Sequence, residues 1–218
     1  ITLVHVSSDY VFDGTAEVHT EEDPFSPLSV YGQTKAAGDI AVAGCPMHYI
    51  LRSSWVIGDG KNFVKTMKGL SDRCADPEDA LSDVTVVDDQ IGRLTFTDDM
   101  AKAIFHLLGY REGELEPSAP SAYGTYDCTG AGRVASWAEI AREVFDLANG
   151  NGASVRPVPT AEYYANAQGP IAKRPEHSAL DLSKLEAAGF FMPDWEESLA
   201  AYMRCSSLLV AYGSPNNN

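Results

Sequence analysis

Short apolar runs alternate with longer amphipathic segments along the first two thirds of the chain. The short runs are rich in β-branched residues, which favour strands, and the longer segments repeat apolar residues at helical spacing. Strands that alternate with helices are typical of an α/β protein with a mainly parallel sheet. The predicted strands are 2–6, 48–58, 84–89, 124–130 and 155–158, and the predicted helices are 29–43, 62–72, 97–110, 136–150, 183–188 and 196–212.

The alternation stops near residue 150, and this change divides the chain into two predicted regions. Residues 1–150 carry the alternating strands and helices, whereas residues 151–218 form a tail in which helices predominate and which ends in a frayed GSPNNN segment. An irregular surface loop is expected at 15–29, because this segment contains two prolines and many acidic residues.

The segment GAGRVA at 130–135 matches the G-x-G-x-x-A pattern of dinucleotide-binding loops. In a true fingerprint the helix begins within the glycine loop, so that its free N–H groups point at the pyrophosphate. Here Ser136 and Glu139 form a capping box, which predicts a helix start after the motif. The segment is therefore interpreted as a plain connection between a strand and a helix. The other helix whose start is predicted from a cap is the one at 97–110, with Thr97 or Asp98 as N-cap.

The charge of the chain excludes one class of partner. The formal net charge is −15 and the isoelectric point is about 4.6. Such a surface repels phosphate backbones, so nucleic acid is not an expected partner, and any anionic ligand needs local cations. No apolar stretch approaches the ~18 residues of a membrane helix, so no membrane partner is expected either.

The cysteines indicate a reducing compartment and no metal site. Four cysteines are widely spaced, and neither CxxC nor a Cys/His ligand spacing occurs. Reduced thiols in a cytoplasmic protein are the favoured interpretation. The five histidines are also scattered, so no structural metal is expected from spacing.

The residues that carry candidate chemistry are a tyrosine and a lysine at the start of a predicted helix. Tyr31 and Lys35 form Y-x-x-x-K, and residues four apart lie on one helix face. A free tyrosine has a pKa near 10, and a neighbouring ammonium favours the phenolate and lowers that value. The pair therefore suits proton transfer at a carbonyl or alcohol. Ser8, which follows the first strand, is the candidate hydroxyl that would hold the substrate oxygen.

Together with their neighbours, these residues resemble the extended short-chain dehydrogenase/reductases and, within them, the dTDP-4-dehydrorhamnose reductases. The resemblance runs in order through nearly the whole chain. SSDYVFDG resembles the family's S-T-D-Y-V-F-D-G, VYGQTKAAGD resembles V-Y-G-x-S/T-K-x-x-G-E, and LRSSWVIG resembles L-R-T-S-W-V-Y-G. The later segments DQIGRLTFTDDMAKAI and RPEHSALDLSKLEAAGF match D-Q-x-G-x-P-T and R-P-x-x-S-x-L-D-x-x-K-L.

The resemblance implies a fold and a reaction. Residues 1–150 would be the C-terminal part of a Rossmann-like doubly wound parallel sheet with interleaved substrate-binding segments, and residues 151–218 mainly a substrate-binding region. A hydride from NADPH or NADH would reach C4 of a dTDP-linked 4-keto-6-deoxyhexose. Mg²⁺ is a further candidate ion, and a homodimer a candidate assembly.

The resemblance also implies roles for individual residues. Tyr31 would donate the proton to the new alkoxide, Lys35 would lower the pKa of that tyrosine and hold the nicotinamide ribose, and Ser8 would polarise the carbonyl. The residues expected to contact the substrate are Asp9, Tyr10 and Trp55, at the sugar or nucleotide, and Arg174, at the diphosphate, where a guanidinium fork suits anionic oxygens.

Three departures from the family pattern change the expectation. Ser8 stands where the family usually has threonine, which keeps the hydroxyl, and Leu94 replaces a proline. The family's first strand, its G-x-x-G-x-x-G loop and the next βα units have no counterpart in the sequence. The chain is therefore expected to be a C-terminal fragment whose cofactor loop belongs to an upstream half of the same polypeptide, and to be inactive alone.

Two other functions stay open. The chain could be a non-catalytic sugar-nucleotide-binding or regulatory module of the same fold, or a different sugar-nucleotide reductase or epimerase. Some of the singled-out side chains also have structural interpretations. Asp13 is expected to form a turn, Val11 and Phe12 to pack in the core, Arg52 and Arg93 to pair with acids, Trp137 and Trp195 to pack helices, and Trp55 to be a core anchor or a site residue with equal weight.

Overall fold

Three parallel strands form the main sheet of the protein, as the alternation of strands and helices predicts. In the computed structural model, which describes residues 1–110, 113 and 116–211 and only the backbone of 206–211, β1 (Leu3–Ser8) pairs with β2 (His48–Ser53). β2 also pairs with β7 (Gly124–Asp127), so the order is β1-β2-β7. Parallel neighbours require long crossovers, and α1 (Val30–Ala43) lies in the first of them. The carboxyl ends of these strands therefore share one edge.

Smaller strand pairs extend the architecture. β3 (Val56–Ile57) pairs with β6 (Thr95–Phe96), and β4 (Val84–Val87) pairs with β9 (Val155–Val158), both in parallel. β5 (Ile91–Gly92) and β8 (Ala135–Ser136) are antiparallel. The remaining α-helices are α2 (Phe63–Ala75), α3 (Thr97–Leu107), α4 (Trp137–Asn149), α5 (Thr160–Tyr163), α6 (Ser183–Ala187) and α7 (Trp195–Ala211). The predicted α/β class is confirmed, whereas Tyr212 and the GSPNNN segment lie outside the described residues.

The helix ends follow their capping residues where the sequence supplies them. Ser29 accepts a hydrogen bond from Gly32 N at the start of α1. Ser136 and Glu139 complete the predicted capping box of α4. α3 is different: its N-cap is Phe96, without a side-chain hydrogen bond, so the predicted cap at Thr97 or Asp98 is wrong. β6 runs directly into α3, which leaves no spacer residue to serve as a cap.

The predicted single strand at 48–58 is wrong, because the structure divides it into two. β2 ends at Ser53 and β3 begins at Val56, and the two strands belong to different sheets. Trp55 between them has φ = +48°, a left-handed conformation that bulky residues rarely adopt. This turn redirects the chain and presents the indole at the carboxyl edge of the main sheet.

Two large buried clusters and a smaller one hold the elements together. One packs α4 against α2 and α7 and includes Phe145 and Trp195, so the packing role predicted for Trp195 is confirmed. The other lies between the main sheet and α3 and includes Leu51 and Leu107. Val11 and Phe12 are also buried, as predicted. None of the described helices combines the length and apolar character needed to span a membrane.

The GAGRVA loop is closed by contacts with Leu94 and with the chain at the start of α7. Gly130 N donates to Leu94 O at 3.1 Å, and Ala131 N donates to Pro193 O at 2.8 Å. The indole Nε1 of Trp195 donates to Arg133 O at 2.8 Å. α4 begins only at Trp137, and its capping box already satisfies the N–H groups of Ser136 and Glu139. These contacts support the interpretation of the segment as a connection.

Candidate active site

Most of the predicted site residues line one cleft of about 390 Å³ at the carboxyl edge of the main sheet. This edge is where open α/β sheets bind their ligands. β1 and its following turn supply one wall, and the start of α1 supplies another. The cleft is lined by the predicted residues Ser8, Asp9, Tyr10, Tyr31, Lys35 and Trp55, and by Val6, Ser7, Ser53, Val56 and Trp137, which were not assigned to the site.

Ser8 is held at the last position of β1 by its pairing and by its hydroxyl. It lies opposite Ser53 of β2 in the parallel register. Its Oγ accepts a hydrogen bond from Tyr10 N at 3.2 Å, which caps a single 3₁₀ turn over Asp9–Val11. The same Oγ donates to Asp9 Oδ1 at 3.0 Å. The hydroxyl is therefore fixed at the floor of the cleft before any ligand arrives.

Asp9 is a buried carboxyl beside that hydroxyl, with 4% of its surface exposed. Burial raises the pKa of Asp9 to about 7, while the nearby hydroxyls of Ser178 and Ser8 act in the opposite direction. Its Oδ2 has no partner with normal hydrogen-bond geometry among the described residues. A carboxyl in such surroundings is partly protonated near neutral pH.

Tyr31 reaches the cleft from the first turn of α1. Its ring packs edge-on against Tyr10, with centroids 5.8 Å apart and planes at 86°. The close approach depends on Gly32, because a Cβ there would overlap the carbonyl oxygen of Tyr10. Tyr31 remains 55% exposed and accessible to a ligand. Burial and the Asp9 carboxyl raise the pKa of Tyr10, and Arg174 opposes this change.

Lys35 lies one helical turn after Tyr31 and is anchored to the sheet. Its Nζ donates to Val6 O at 2.6 Å, so the ammonium is held at the end of β1. The i, i+4 spacing and this bond bring the phenol, the ammonium and the Ser8 hydroxyl to the same cleft. The motif alone predicts the shared helix face, and the packing of α1 against β1 brings that face to Ser8.

Trp55 and Trp137 form a stacked pair on the opposite wall. Their ring centroids lie 3.9 Å apart, with an interplanar angle of 21°. Trp55 also packs against the buried cluster around α4, so it is both a core anchor and a residue of the cleft. Trp137 packs on Phe63 as a helix residue, as predicted, but it also lines the cleft. The Ser136 cap predicts only that Trp137 begins a helix, and no sequence pattern assigns Trp137 to the cleft.

Arg174 does not line this cleft. It lies beside a larger cleft of about 710 Å³, together with Lys173 and Asp13. A third cavity of about 310 Å³ is lined by both Trp137 and Arg174, so residues of the first and second clefts meet there. The three cavities follow one another along the surface, with the tyrosine–lysine pair at one end and the cations at the other.

The wall of the larger cleft is built where three sequence motifs meet. Gly14 has φ = +71°, and Asp13 Oδ1 accepts from Thr15 N at 2.9 Å, which confirms the predicted turn. Gly14 O accepts a hydrogen bond from His177 N, at 3.3 Å. Ile91 exchanges backbone hydrogen bonds with the same segment, accepting from Ser178 N at 2.7 Å. The segment that carries Arg174 is thereby tied to SSDYVFDG and to DQIG.

The two other predicted arginines differ from each other. Arg52 pairs with buried Asp39, as predicted. Arg93 instead donates to Leu180 O at 3.3 Å, and no carboxylate of the described residues lies within ion-pair distance of it. Burial lowers the pKa of the Arg93 guanidinium, and the more distant charges of Asp181 and Asp194 counter that effect. The predicted pairing is therefore wrong for Arg93.

The donor set for a metal ion is not present in the described part of the chain. No group of three or more His, Cys, Asp or Glu side chains there is arranged to hold a cation. The free thiols of Cys45, Cys74, Cys128 and Cys205 are dispersed. The Mg²⁺ that the resemblance suggested is therefore not supported by these residues.

A parallel α/β sheet with a hydroxyl at a strand end and a Y-x-x-x-K helix beside it defines the class of short-chain dehydrogenase/reductases. Comparison with known proteins narrows this class. The family described as RmlD substrate binding domain matches residues 1–207, and the chain belongs to that family. Its sequence is 40% identical over 205 residues to dTDP-4-dehydrorhamnose reductase of Sinorhizobium fredii, covering 91% of this chain and 64% of that protein.

Solved structures give the same result. A dTDP-4-dehydrorhamnose reductase from Clostridium acetobutylicum superimposes with a TM-score of 0.78 at 36% identity, covering 94% of this chain and 66% of that chain. The Bacillus anthracis enzyme, solved in complex with NADP, gives a TM-score of 0.75 at 33% identity with the same coverage. The chain thus spans about two thirds of the length of the relatives that it matches.

Proposed function

We propose that this chain supplies the catalytic tyrosine and lysine and the substrate-binding part of an NADPH-dependent reductase. The reaction is the reduction of dTDP-4-dehydro-6-deoxy-L-mannose to dTDP-L-rhamnose. The observation that carries the proposal is the convergence of Ser8, Tyr31 and Lys35 on one cleft. The names of the relatives, dTDP-4-dehydrorhamnose reductases, support the substrate.

Each member of the triad has a role that its position supports. The Ser8 hydroxyl polarises the C4 carbonyl, and Tyr31 gives its phenolic proton to the C4 oxygen as the alkoxide forms. Lys35, fixed on Val6 O, places a positive charge beside that phenol and holds the nicotinamide ribose. NADPH, when bound, supplies the hydride.

The cofactor fits these residues only in part. Tyr31 is exposed at the cleft, and the Lys35 ammonium is at its edge, which suits the ribose end of a dinucleotide. The GAGRVA loop is occupied by contacts with Leu94, Pro193 and Trp195 and offers no cradle for a pyrophosphate. In this proposal the pyrophosphate is bound by polypeptide outside these 218 residues, so this chain alone is expected to be inactive.

The sugar nucleotide would extend from the first cleft toward the second. Asp9, Tyr10 and Trp55 would contact the sugar and its neighbouring groups, and Trp137 lies where the first and third cavities meet. At the far end, Arg174 and Lys173 are cations beside the larger cleft. They suit a diphosphate that the net charge of −15 would otherwise repel.

Binding and turnover test the proposal separately. Calorimetry on this chain is expected to detect binding of dTDP-L-rhamnose and to find weak or absent binding of NADPH. Arg174→Ala is expected to weaken the binding of the sugar nucleotide. Turnover is measured in a polypeptide that carries this chain after a dinucleotide-binding segment. There Tyr31→Phe is expected to abolish NADPH oxidation by dTDP-4-keto-rhamnose, and Thr34→Val, on the same helical turn, to retain it.

The outcomes separate the competing functions. Undiminished turnover in Tyr31→Phe would overturn the catalytic assignment. Sugar-nucleotide binding without turnover would favour a binding or regulatory module, and faster turnover of another 4-keto sugar would favour a related reductase or epimerase. Tight NADPH binding by this chain alone would contradict the assignment of the pyrophosphate site. The homodimer is also a proposal, which sedimentation velocity would test.

A further inference from the structure

Ser8 cannot donate to a ligand while it keeps its present hydrogen bonds. A hydroxyl has a single hydrogen to donate. Ser8 gives that hydrogen to Asp9 Oδ1 at 3.0 Å, and its Oγ accepts from Tyr10 N at 3.2 Å. The polarisation of a carbonyl requires the same hydrogen to point into the cleft. The hydrogen bond from Ser8 to Asp9 must therefore break before Ser8 can donate to a carbonyl.

The carboxyl that holds this hydrogen is placed where a proton would stay on it. Asp9 is 4% exposed, and its Oδ2 has no partner of normal geometry in the described part of the chain. An ionised carboxylate is costly in such a position, because the carboxyl is withdrawn from water and the hydroxyls of Ser178 and Ser8 compensate for this only in part. The same loss of water raises the pKa of Asp9 to about 7.

We propose that Asp9 is a positioning residue that sets the direction of the Ser8 hydrogen bond. When Asp9 is protonated, its O–H donates to Ser8 Oγ, and the hydrogen of Ser8 is released toward a carbonyl oxygen in the cleft. When Asp9 is ionised, the carboxylate retains that hydrogen. The proton exchanges with solvent, and no covalent bond to a ligand forms or breaks. The identity of that ligand, a 4-keto sugar nucleotide, rests on the proposed function.

The groups around Asp9 determine the pH at which the reversal occurs. Tyr10 lies on the same turn as Asp9. α1 contributes the phenol of Tyr31 and the ammonium of Lys35, and the segment before α6 contributes the Ser178 hydroxyl and the Arg174 guanidinium. The ammonium is already bonded to Val6 O. The charge of the Arg174 guanidinium lowers the pKa of Tyr10, and the charge of Asp9 raises it. These neighbours are Tyr10, Tyr31, Lys35, Ser178 and Arg174.

Carbon NMR of the ligand-free chain tests the hydrogen bond without any cofactor. The carboxyl signal of Asp9, identified by its loss in Asp9→Asn, is expected to titrate near neutrality. Ser8→Ala is expected to raise that pKa, because the hydrogen bond that Ser8 donates to the charged carboxylate is stronger than the one that it accepts from the neutral acid, and Ser8→Thr is expected to restore it. Asp79→Asn is the control, since it removes a partly exposed carboxyl whose pKa is lowered by Arg73. Titration of Asp9 at the ordinary carboxyl value, or no response to Ser8→Ala, would overturn the inference.

Ligand binding tests the consequence. Affinity of the chain for the dTDP-4-keto sugar is expected to fall about three- to tenfold from below to above neutral pH, the effect of one hydrogen bond. dTDP-L-rhamnose is the control ligand, because its 4-hydroxyl can donate as well as accept. The affinity of the Asp9→Asn variant for the keto sugar is expected not to change with pH.

Two results of the binding experiment have different meanings. Equal pH dependence for both ligands, or a pH dependence that Asp9→Asn retains, would contradict the role of Asp9. Absence of binding by the keto sugar at every pH would instead contradict the proposed function. In that case the NMR titration still decides whether Asp9 and Ser8 share a proton-dependent hydrogen bond.

Discussion

Arg52 Nε donates to Asp39 Oδ2 at 2.9 Å, and the two side chains are 4% and 1% exposed. Arg52 belongs to β2 and Asp39 to α1, so this buried pair joins the main sheet to the helix that carries Tyr31 and Lys35. His5 of β1 lies 3.4 Å from the other carboxylate oxygen. The three elements that build the cleft are thus linked through one carboxylate.

Removal of one partner of this pair is expected to be strongly destabilising. Arg52→Met leaves the Asp39 carboxylate buried without its main partner, which costs about 3–5 kcal/mol of unfolding free energy. Asp39→Leu in the same chain removes the orphaned charge, so the double variant is expected to lose less than the sum of the single losses. Urea unfolding measures all three variants. Arg73→Met breaks the exposed pair with Asp79 and is expected to change stability little. Additive losses at Asp39 and Arg52 would show that the pair is not coupled.

Gly14 is expected to tolerate no side chain, for two separate reasons. Its φ of +71° is unfavourable for other residues, and a Cβ would lie 2.7 Å from His177 O. Gly150 shares the positive φ, +67°, but has open space around it. Gly150→Ala is therefore expected to cost about 1–2 kcal/mol, and Gly14→Ala clearly more, with weaker binding of dTDP-L-rhamnose because Pro175 adjoins Arg174. Thermal unfolding and calorimetry measure both effects. Equal losses in the two variants would show that the segment at 174–178 yields easily.

Asp127 is expected to make the protein less stable as pH rises. It is fully buried, both carboxylate oxygens lack partners among the described residues, and burial together with Glu21 raises its pKa well above the usual range. The native state then binds a proton that the unfolded chain releases above about pH 4. The contribution of Asp127 to the free energy of unfolding is therefore fully present below about pH 4, and it is lost as the pH rises toward the raised pKa of this group. Asp9 adds a decline of the same sign between about pH 4 and its pKa of about 7.

The measurement is urea unfolding as a function of pH. Asp127→Asn is expected to flatten the decline and to raise stability at neutral pH, since an amide carries no charge to desolvate. Its small remaining decline belongs to Asp9 and is expected to disappear in the double variant with Asp9→Asn. A steeper decline in Asp127→Asn would show that the carboxylate is ionised and paired in the native protein.

The sequence predicts the parts of the site that depend on local rules. The i, i+4 spacing places Tyr31 and Lys35 on one face, and the end of an apolar run places Ser8 at the carboxyl edge of a strand. The contacts between distant segments are not local. The bond between Arg52 and Asp39 depends on β2 lying beside α1, and the separation of Arg174 from the first cleft depends on a long loop. No pattern of hydropathy specifies either one.

Trp55 shows the same limit in the backbone itself. The run at 48–58 has the composition of a single strand, and its break depends on a left-handed tryptophan whose conformation is unfavourable in isolation. Tertiary packing on Trp137 and Gly92 overrides the local preference. Strained residues are common at functional sites, and here the left-handed turn at Trp55 is the feature that the strand-like composition of 48–58 did not indicate.

The stacked pair of Trp55 and Trp137 is expected to contribute to ligand binding. Trp137 lines both the first and the third cavity, so Trp137→Ala removes a wall that a sugar nucleotide would contact on its way to Arg174. Affinity for dTDP-L-rhamnose is expected to fall at least several-fold, and the circular-dichroism couplet of the stacked indoles to disappear. Trp137→Phe preserves an aromatic face and is expected to keep most of the affinity while losing the couplet. Unchanged affinity in Trp137→Ala, with the couplet lost, would place the ligand elsewhere and confine Trp137 to its packing role on Phe63.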